Sequence, residues 1–169
     1  MRVTWIIDGV LAISPFPHIR LLEELYDEGI RAIVSLEYHD KSSLEKMGFE
    51  HLDAYVKDYT APHFCQLLEI NNFIDKMADI KKPVLIHCYA GGRSGTAAAS
   101  YLIHKKNITA GEALREVRNR FPNAVETKSQ EKALMEFEIL TRKLIFLGKL
   151  KCLKRKILLR IPYIFKRLK

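Results

Sequence analysis

The sequence predicts an α/β domain: a central, mostly parallel sheet flanked by helices. Two observations carry this reading. Short β-branched runs such as "RAIVSL" (31–36) and "PVLIHC" (83–88) alternate with longer segments whose apolar residues recur at helical spacing. Hydrophobic residues make up 48% of the 169, enough to bury a sizeable core in one domain. We expect that domain to span 1–147 and to be followed by a basic amphipathic tail over 148–169.

The elements follow in order. Residues 3–7 and 10–13 read as short strands joined by a turn at Asp8 and Gly9. From 18 to 26, Ile19, Leu22, Leu25 and Tyr26 sit at helical spacing, and Gly29 fits the stop. Strand 31–36 leads to a short helix in "SSLEKMGF", with Ser42 as its expected cap, and then to an alternating strand, "HLDAYV" (51–56). A polar loop, "KDYTAP", precedes a helix over 63–80 with an apolar stripe that includes Leu67, Ile74 and Met77. Strand 83–88 is the best candidate for the sheet centre. The alanine-rich stretch 94–105 predicts a closely packed helix. Thr109 and Glu112 form a capping box at the start of another, and a last long helix begins near Thr127. Pro162 should interrupt it.

Charge is divided unevenly. Residues 139–169 hold eleven of the 28 Lys and Arg and no Asp or Glu, which leaves 17 basic against 20 acidic residues in 1–138, a net of −3. Attraction to acidic partners therefore belongs to the tail. The first apolar patch breaks at Asp8, too early for a signal peptide, and no run reaches transmembrane length, so we expect a soluble cytoplasmic protein. Three cysteines, Cys65, Cys88 and Cys152, argue against a disulfide framework. Cys65 and Cys152 read as buried small hydrophobes or simple exposed thiols, with a redox pairing of Cys65 and Cys88 as a minor alternative.

The chemistry concentrates in "HCYAGGRSGT" (87–96). A strand that ends in cysteine and turns through glycines into a helix gathers backbone N–H groups at a helix N-terminus, which favours an anion. Gly91 and Gly92 permit the backbone angles of such a turn. The same field favours a thiolate at Cys88 and makes it a nucleophile. Arg93 can hold a tetrahedral oxyanion through two N–H groups, and Ser94 can donate to the departing sulfur. Together these parts describe phosphoryl transfer through a phosphocysteine. The nucleotide-binding G-x-x-x-x-G-K-[ST] pattern is absent.

The segment resembles the active-site loop of cysteine-based protein tyrosine and dual-specificity phosphatases. The resemblance continues through "LLEELYDEGIRAIVSLE", "HLDAYVKDYTAP" and "REVRNRFPNAVETKSQ", over about residues 5–140, and is closest to the small archaeal members. It implies Cys88 as nucleophile, Arg93 as phosphate clamp and Asp58 as general acid. Asp53 is the competing carboxylate, but alternation places it within a strand. Gln130 falls where some relatives carry a water-orienting glutamine. His87 would be structural, and Tyr89, Ala90, Gly91, Gly92, Ser94 and Gly95 would supply amides to the phosphate. No metal or other cofactor is implied, and the six histidines show no ligand spacing. The expected partner is a phosphorylated protein or another phosphomonoester.

One feature departs from the family pattern. Five residues normally separate the cysteine from the arginine; only Tyr89, Ala90, Gly91 and Gly92 do so in this chain. One residue spans about 3.3–3.6 Å, so its loss removes an amide and shifts Arg93 relative to the sulfur. Three readings follow. A residue has been deleted from a five-residue loop; or the short loop makes a phosphate-binding pseudophosphatase; or it serves a rhodanese-like sulfurtransferase. The flanking "HC" and "RSGT" favour the phosphatase. The tail over 144–169 interleaves Lys and Arg with Leu and Ile, which suits a peripheral position on an anionic membrane surface or, equally, a capped and solvated end, both ahead of nucleic acid.

Overall fold

The computed structural model describes residues 3–38 and 40–165. Five strands form one sheet: β1 (Thr4–Ile7), β2 (Leu11–Ser14), β3 (Ala32–Ser35), β4 (Glu50–Asp53) and β5 (Val84–His87). Their order is β1-β2-β5-β3-β4; β1 is antiparallel to β2 and every other pair is parallel. The helices are α1 (Leu22–Asp27), α2 (Lys41–Lys46), α3 (Phe64–Asp79), α4 (Gly92–Lys106), α5 (Ala110–Arg120) and α6 (Lys128–Phe165). A 3-10 turn, Ile19–Leu21, precedes α1.

The period of two along the central strands sorts the core onto two faces. Leu11, Ile13, Ala32, Val34, Val84 and Ile86 join the cluster built with α3, α4, α5 and the first turns of α6. Ala12, Ile33 and Leu85 join the smaller cluster beneath α1 and α2. Buried on both faces, β5 is the centre that its continuous apolar run predicts. The chain reaches β5 last, after laying down β2, β3 and β4. The loops that leave β3, β4 and β5 therefore open at one edge of the sheet, where open α/β sheets place their ligands.

Several boundaries shift. Asp40, not Ser42, caps α2, because the Asp40 side chain accepts from the Ser42 amide. Strand β4 ends at Asp53, short of Val56; the chain bends away while Ala54 and Val56 still donate to Ser35 and Leu36 carbonyls. The Thr109 and Glu112 capping box forms as predicted. Helix α6 continues past Pro162, which lies in its last turn, where the missing N–H removes a single ladder bond. Compactness divides the chain into Met1–Glu138 and Ile139–Lys169. In the second unit Leu144, Ile145, Phe146 and Leu147 are exposed.

Candidate active site

Strand β5 delivers Cys88 to the edge of the sheet with its side chain enclosed. Tyr89 and Ala90 are exposed, and the chain then turns through Gly91 with φ +112° directly into α4. Only glycine fits: a Cβ there would lie 2.1 Å from the Phe121 ring. A Cβ on Gly92 would meet the Glu126 carboxylate and one on Gly95 would meet Ala124, so α4 starts pressed against segment 121–126. The turn aims the Gly91 amide at the Cys88 Sγ, 3.0 Å away, and Ser94 Oγ sits 3.5 Å from the same sulfur. Ser94 Oγ also donates to the Gly91 carbonyl. These donors are the local groups that stabilise a thiolate or a leaving sulfur.

Arg93, in the first turn of α4, is 1% exposed. Its guanidinium reaches across the ends of β3 and β4. Nη1 donates to the Val56 carbonyl at 2.6 Å and to the Leu36 carbonyl at 3.4 Å, and pairs with Glu37 at 3.0 Å. Nη2 pairs with Asp58 at 2.8 Å. Nε is buried and has no partner among the described residues. The Nε–H and the second Nη2–H thus form a two-pronged donor edge, the geometry by which arginine takes two oxygens of one oxyanion.

Asp58 lies in the loop that leaves β4, half-exposed, with Oδ1 accepting from Arg93 and from the Tyr59 amide. Asp53 ends β4, exposed, and no described contact links it to Arg93. The structure thus brings Asp58 to the arginine. Gln130 is fully buried, and its amide is engaged at both ends. Oε1 accepts from Glu126 and Thr127 amides and Nε2 donates to the Thr60 carbonyl, so Gln130 braces the acid loop instead of facing open space. Gly95 does not supply an amide to a ligand, because its N–H is spent on the Gly91 carbonyl within α4. His87 is buried and hydrogen-bonds Ser35 Oγ through Nε2 at 2.8 Å, and the Phe16 ring stands edge-on to it. Cys65 is exposed near the start of α3, and Cys152 lies outside the residues whose side chains are described.

Sequence reasoning missed Glu37. It sits just past β3 in "SLEYHD", where no local pattern marks it; only the strand order brings it to Arg93. An open cavity of about 390 Å³ borders the loop at Ala90 and is lined by Arg118, Asn123 and Glu126 among others. Among the described residues no group of three or more His, Cys, Asp or Glu side chains is placed to hold a metal ion.

Known proteins place the chain in a family. The family model described as polymorphic toxin system, DSP-PTPase phosphatase, matches residues 17–107, more than half of the chain. The crystal structure of Tk-PTP in its active form superposes with a TM-score of 0.76 at 38% identity, covering 80% of this chain and 95% of that one. The chain belongs to the cysteine-based protein tyrosine and dual-specificity phosphatases. Within this phosphatase family, the phosphatidylglycerophosphate phosphatase PTPMT2 of Arabidopsis thaliana is 33% identical over 138 residues, 78% of this chain and 60% of its own length. The tyrosine-protein phosphatase CDC14 homolog of Schizosaccharomyces pombe is 31% identical over 116 residues, 66% of this chain. The chain spans about a fifth of the length of that protein and of the mouse protein tyrosine phosphatase domain-containing protein 1.

Proposed function

We propose that the chain hydrolyses phosphomonoesters through a phosphocysteine on Cys88, without a metal. The observation that carries the proposal is the donor edge of Arg93, buried, oriented by Glu37 and Asp58, and beside a thiol that already receives the Gly91 amide. The Cys88 thiolate attacks phosphorus while the bond to the leaving oxygen breaks. Arg93 and the loop amides take the equatorial oxygens, and Asp58 gives its proton to the leaving oxygen. Asp58 then accepts a proton from the water that displaces Cys88, and Ser94 donates to the departing sulfur. The test is hydrolysis of para-nitrophenyl phosphate at mildly acidic pH beside Cys88→Ser. We expect vanadate-sensitive turnover that disappears in the variant.

A second reading has its own observation. Across the four-residue loop, a single described backbone bond reaches Sγ, and Arg93 is committed to two carboxylates and two carbonyls. A folded protein that binds phosphate but does not turn over would favour this phosphate-binding reading. Insertion of one glycine between Gly91 and Gly92 would then be expected to raise turnover once Phe121 and Glu126 give way. Sulfur transfer has no evident use for Asp58, and thiocyanate production from thiosulfate and cyanide would be needed to revive it.

The relatives include phosphatases of protein tyrosine and of phosphatidylglycerophosphate, so we infer a phosphorylated protein or phospholipid headgroup as substrate. Eleven basic residues over 139–169 and the exposed Leu144, Ile145, Phe146 and Leu147 support a peripheral site on an anionic membrane. No described helix is long and apolar enough to cross a membrane. Flotation of the full chain with phosphatidylserine vesicles should fall when Lys154, Arg155 and Lys156 are replaced by glutamine. Equal flotation would remove the membrane reading.

A further inference from the structure

Ser35 and His87 alternate with Val34 and Ile86, so they fall on the sheet face whose apolar residues Ile33 and Leu85 pack beneath α1 and α2. There they form part of a hydrogen-bonded chain. Ser35 is fully buried, and its Oγ lies 2.8 Å from His87 Nε2 and 2.9 Å from His51 Nε2. His51 stands on β4 opposite Ile33, one pleat away from the Ser35 and His87 pair. It is half-buried, whereas His87 is wholly enclosed. The chain thus runs from the accessible side of β4, through one hydroxyl, to the residue that immediately precedes Cys88.

A serine hydroxyl has one hydrogen. With an imidazole nitrogen on each side, Ser35 satisfies both contacts only by donating to one ring and accepting from the other. The two rings are therefore coupled: the position of the proton on one sets its position on the other. His51 is the partly exposed ring of the two, and with a proton on Nε2 it donates to Ser35. Ser35 must then donate to His87 Nε2, and His87 carries its proton on Nδ1.

We propose that His51 is a positioning residue for the Cys88 loop: by donating to Ser35 it holds His87 in the Nδ1–H tautomer. The His87 ring is fixed in plane by the edge-on Phe16, at 5.3 Å between centroids, and its main chain joins β3 through the Leu36 amide. With plane and backbone held, the tautomer decides whether the buried Nδ1, on the residue that precedes Cys88, presents a donor or a lone pair. The inference rests on Cys88 as the reacting thiol. Its readouts, a ring tautomer and a thiol alkylation rate, need no phosphatase turnover, so its failure and that of the phosphatase reading are separable.

The test uses the full chain with 15N-labelled histidine. Long-range proton–nitrogen correlation at fixed neutral pH should show His87 protonated on Nδ1 and His51 bearing a proton on Nε2. In His51→Leu the His87 signals should shift toward the Nε2–H form, and iodoacetamide modification of the Cys88-bearing peptide should slow several-fold. His51→Gln, which keeps an N–H donor, should restore both. Ser35→Ala should reproduce His51→Leu, and the double variant should be no worse than either alone. An Nε2–H tautomer at His87 in the unaltered chain would overturn the proposal without any variant. A tautomer change that leaves the alkylation rate untouched would overturn it equally.

Discussion

The two halves of the site are built differently. The half that holds Cys88, Gly91, Gly92, Arg93 and Ser94 is part of the hydrophobic core, with Cys88 and Arg93 each 1% exposed and glycines pressed on Phe121 and Glu126. The half that holds Asp58 is a surface loop, where Asp58 is 48% exposed and Tyr59 68%. The first gets its geometry from packing, the second from a few hydrogen bonds. Chemistry and stability should therefore be inseparable in one half and separable in the other.

Predictions can break that contrast, taken from the largest effect on turnover downward. Cys88→Ser removes the nucleophile and should abolish hydrolysis of para-nitrophenyl phosphate. Asp58→Asn should lower kcat by about 10²–10⁴-fold with an aryl ester of poor leaving ability. Its thermal midpoint should stay close to that of the unaltered chain, since the amide oxygen still accepts from Arg93 and Glu37 keeps that charge paired. A large drop in the midpoint would show that the acid loop is as much a part of the core as Arg93. Gly91→Ala should do the reverse. The positive φ costs about 1–3 kcal/mol for a residue with a Cβ, and the overlap with Phe121 adds to it. Denaturant unfolding should show that loss together with reduced turnover. Unchanged stability would mean the loop is free to rearrange and is not set by packing.

The same division explains what was legible in the sequence. Cys88, Arg93 and Ser94 are read from one contiguous stretch because local spacing builds the turn. The strands were legible as apolar runs, and the α5 cap as Thr109 with Glu112 three residues later. Asp58 was reached through resemblance and required the fold to bring it to Arg93. Glu37 and the chain through Ser35 and His51 carried no local signal, because their meaning depends on β5 entering between β2 and β3. The cap of α2 was misread by two residues: Asp40 and Ser42 both suit the position, and the backbone of Asp40 is the extended one. Gln130 falls in the expected neighbourhood, and a sequence does not show that its amide also braces Thr60, Glu126 and Thr127.

Gln130 is the joint between the halves and gives the smallest and most informative effect. Its Oε1 receives the amides of Thr127 and of Glu126, the residue that packs on Gly92, and its Nε2 holds the Thr60 carbonyl, two residues from Asp58. Gln130→Ala removes hydrogen bonds to partly buried groups, each worth about 0.5–1.5 kcal/mol in stability. The chemistry itself loses no reacting group, so kcat should fall only through a less confined Asp58. That fall should be larger with a poor leaving group, which needs the acid, than with an activated aryl ester, which does not. If both esters slow equally, Gln130 acts on the attacking water or on the loop amides, and the acid loop does not depend on it. If the difference appears, the packed half sets the position of the exposed half through a single side chain.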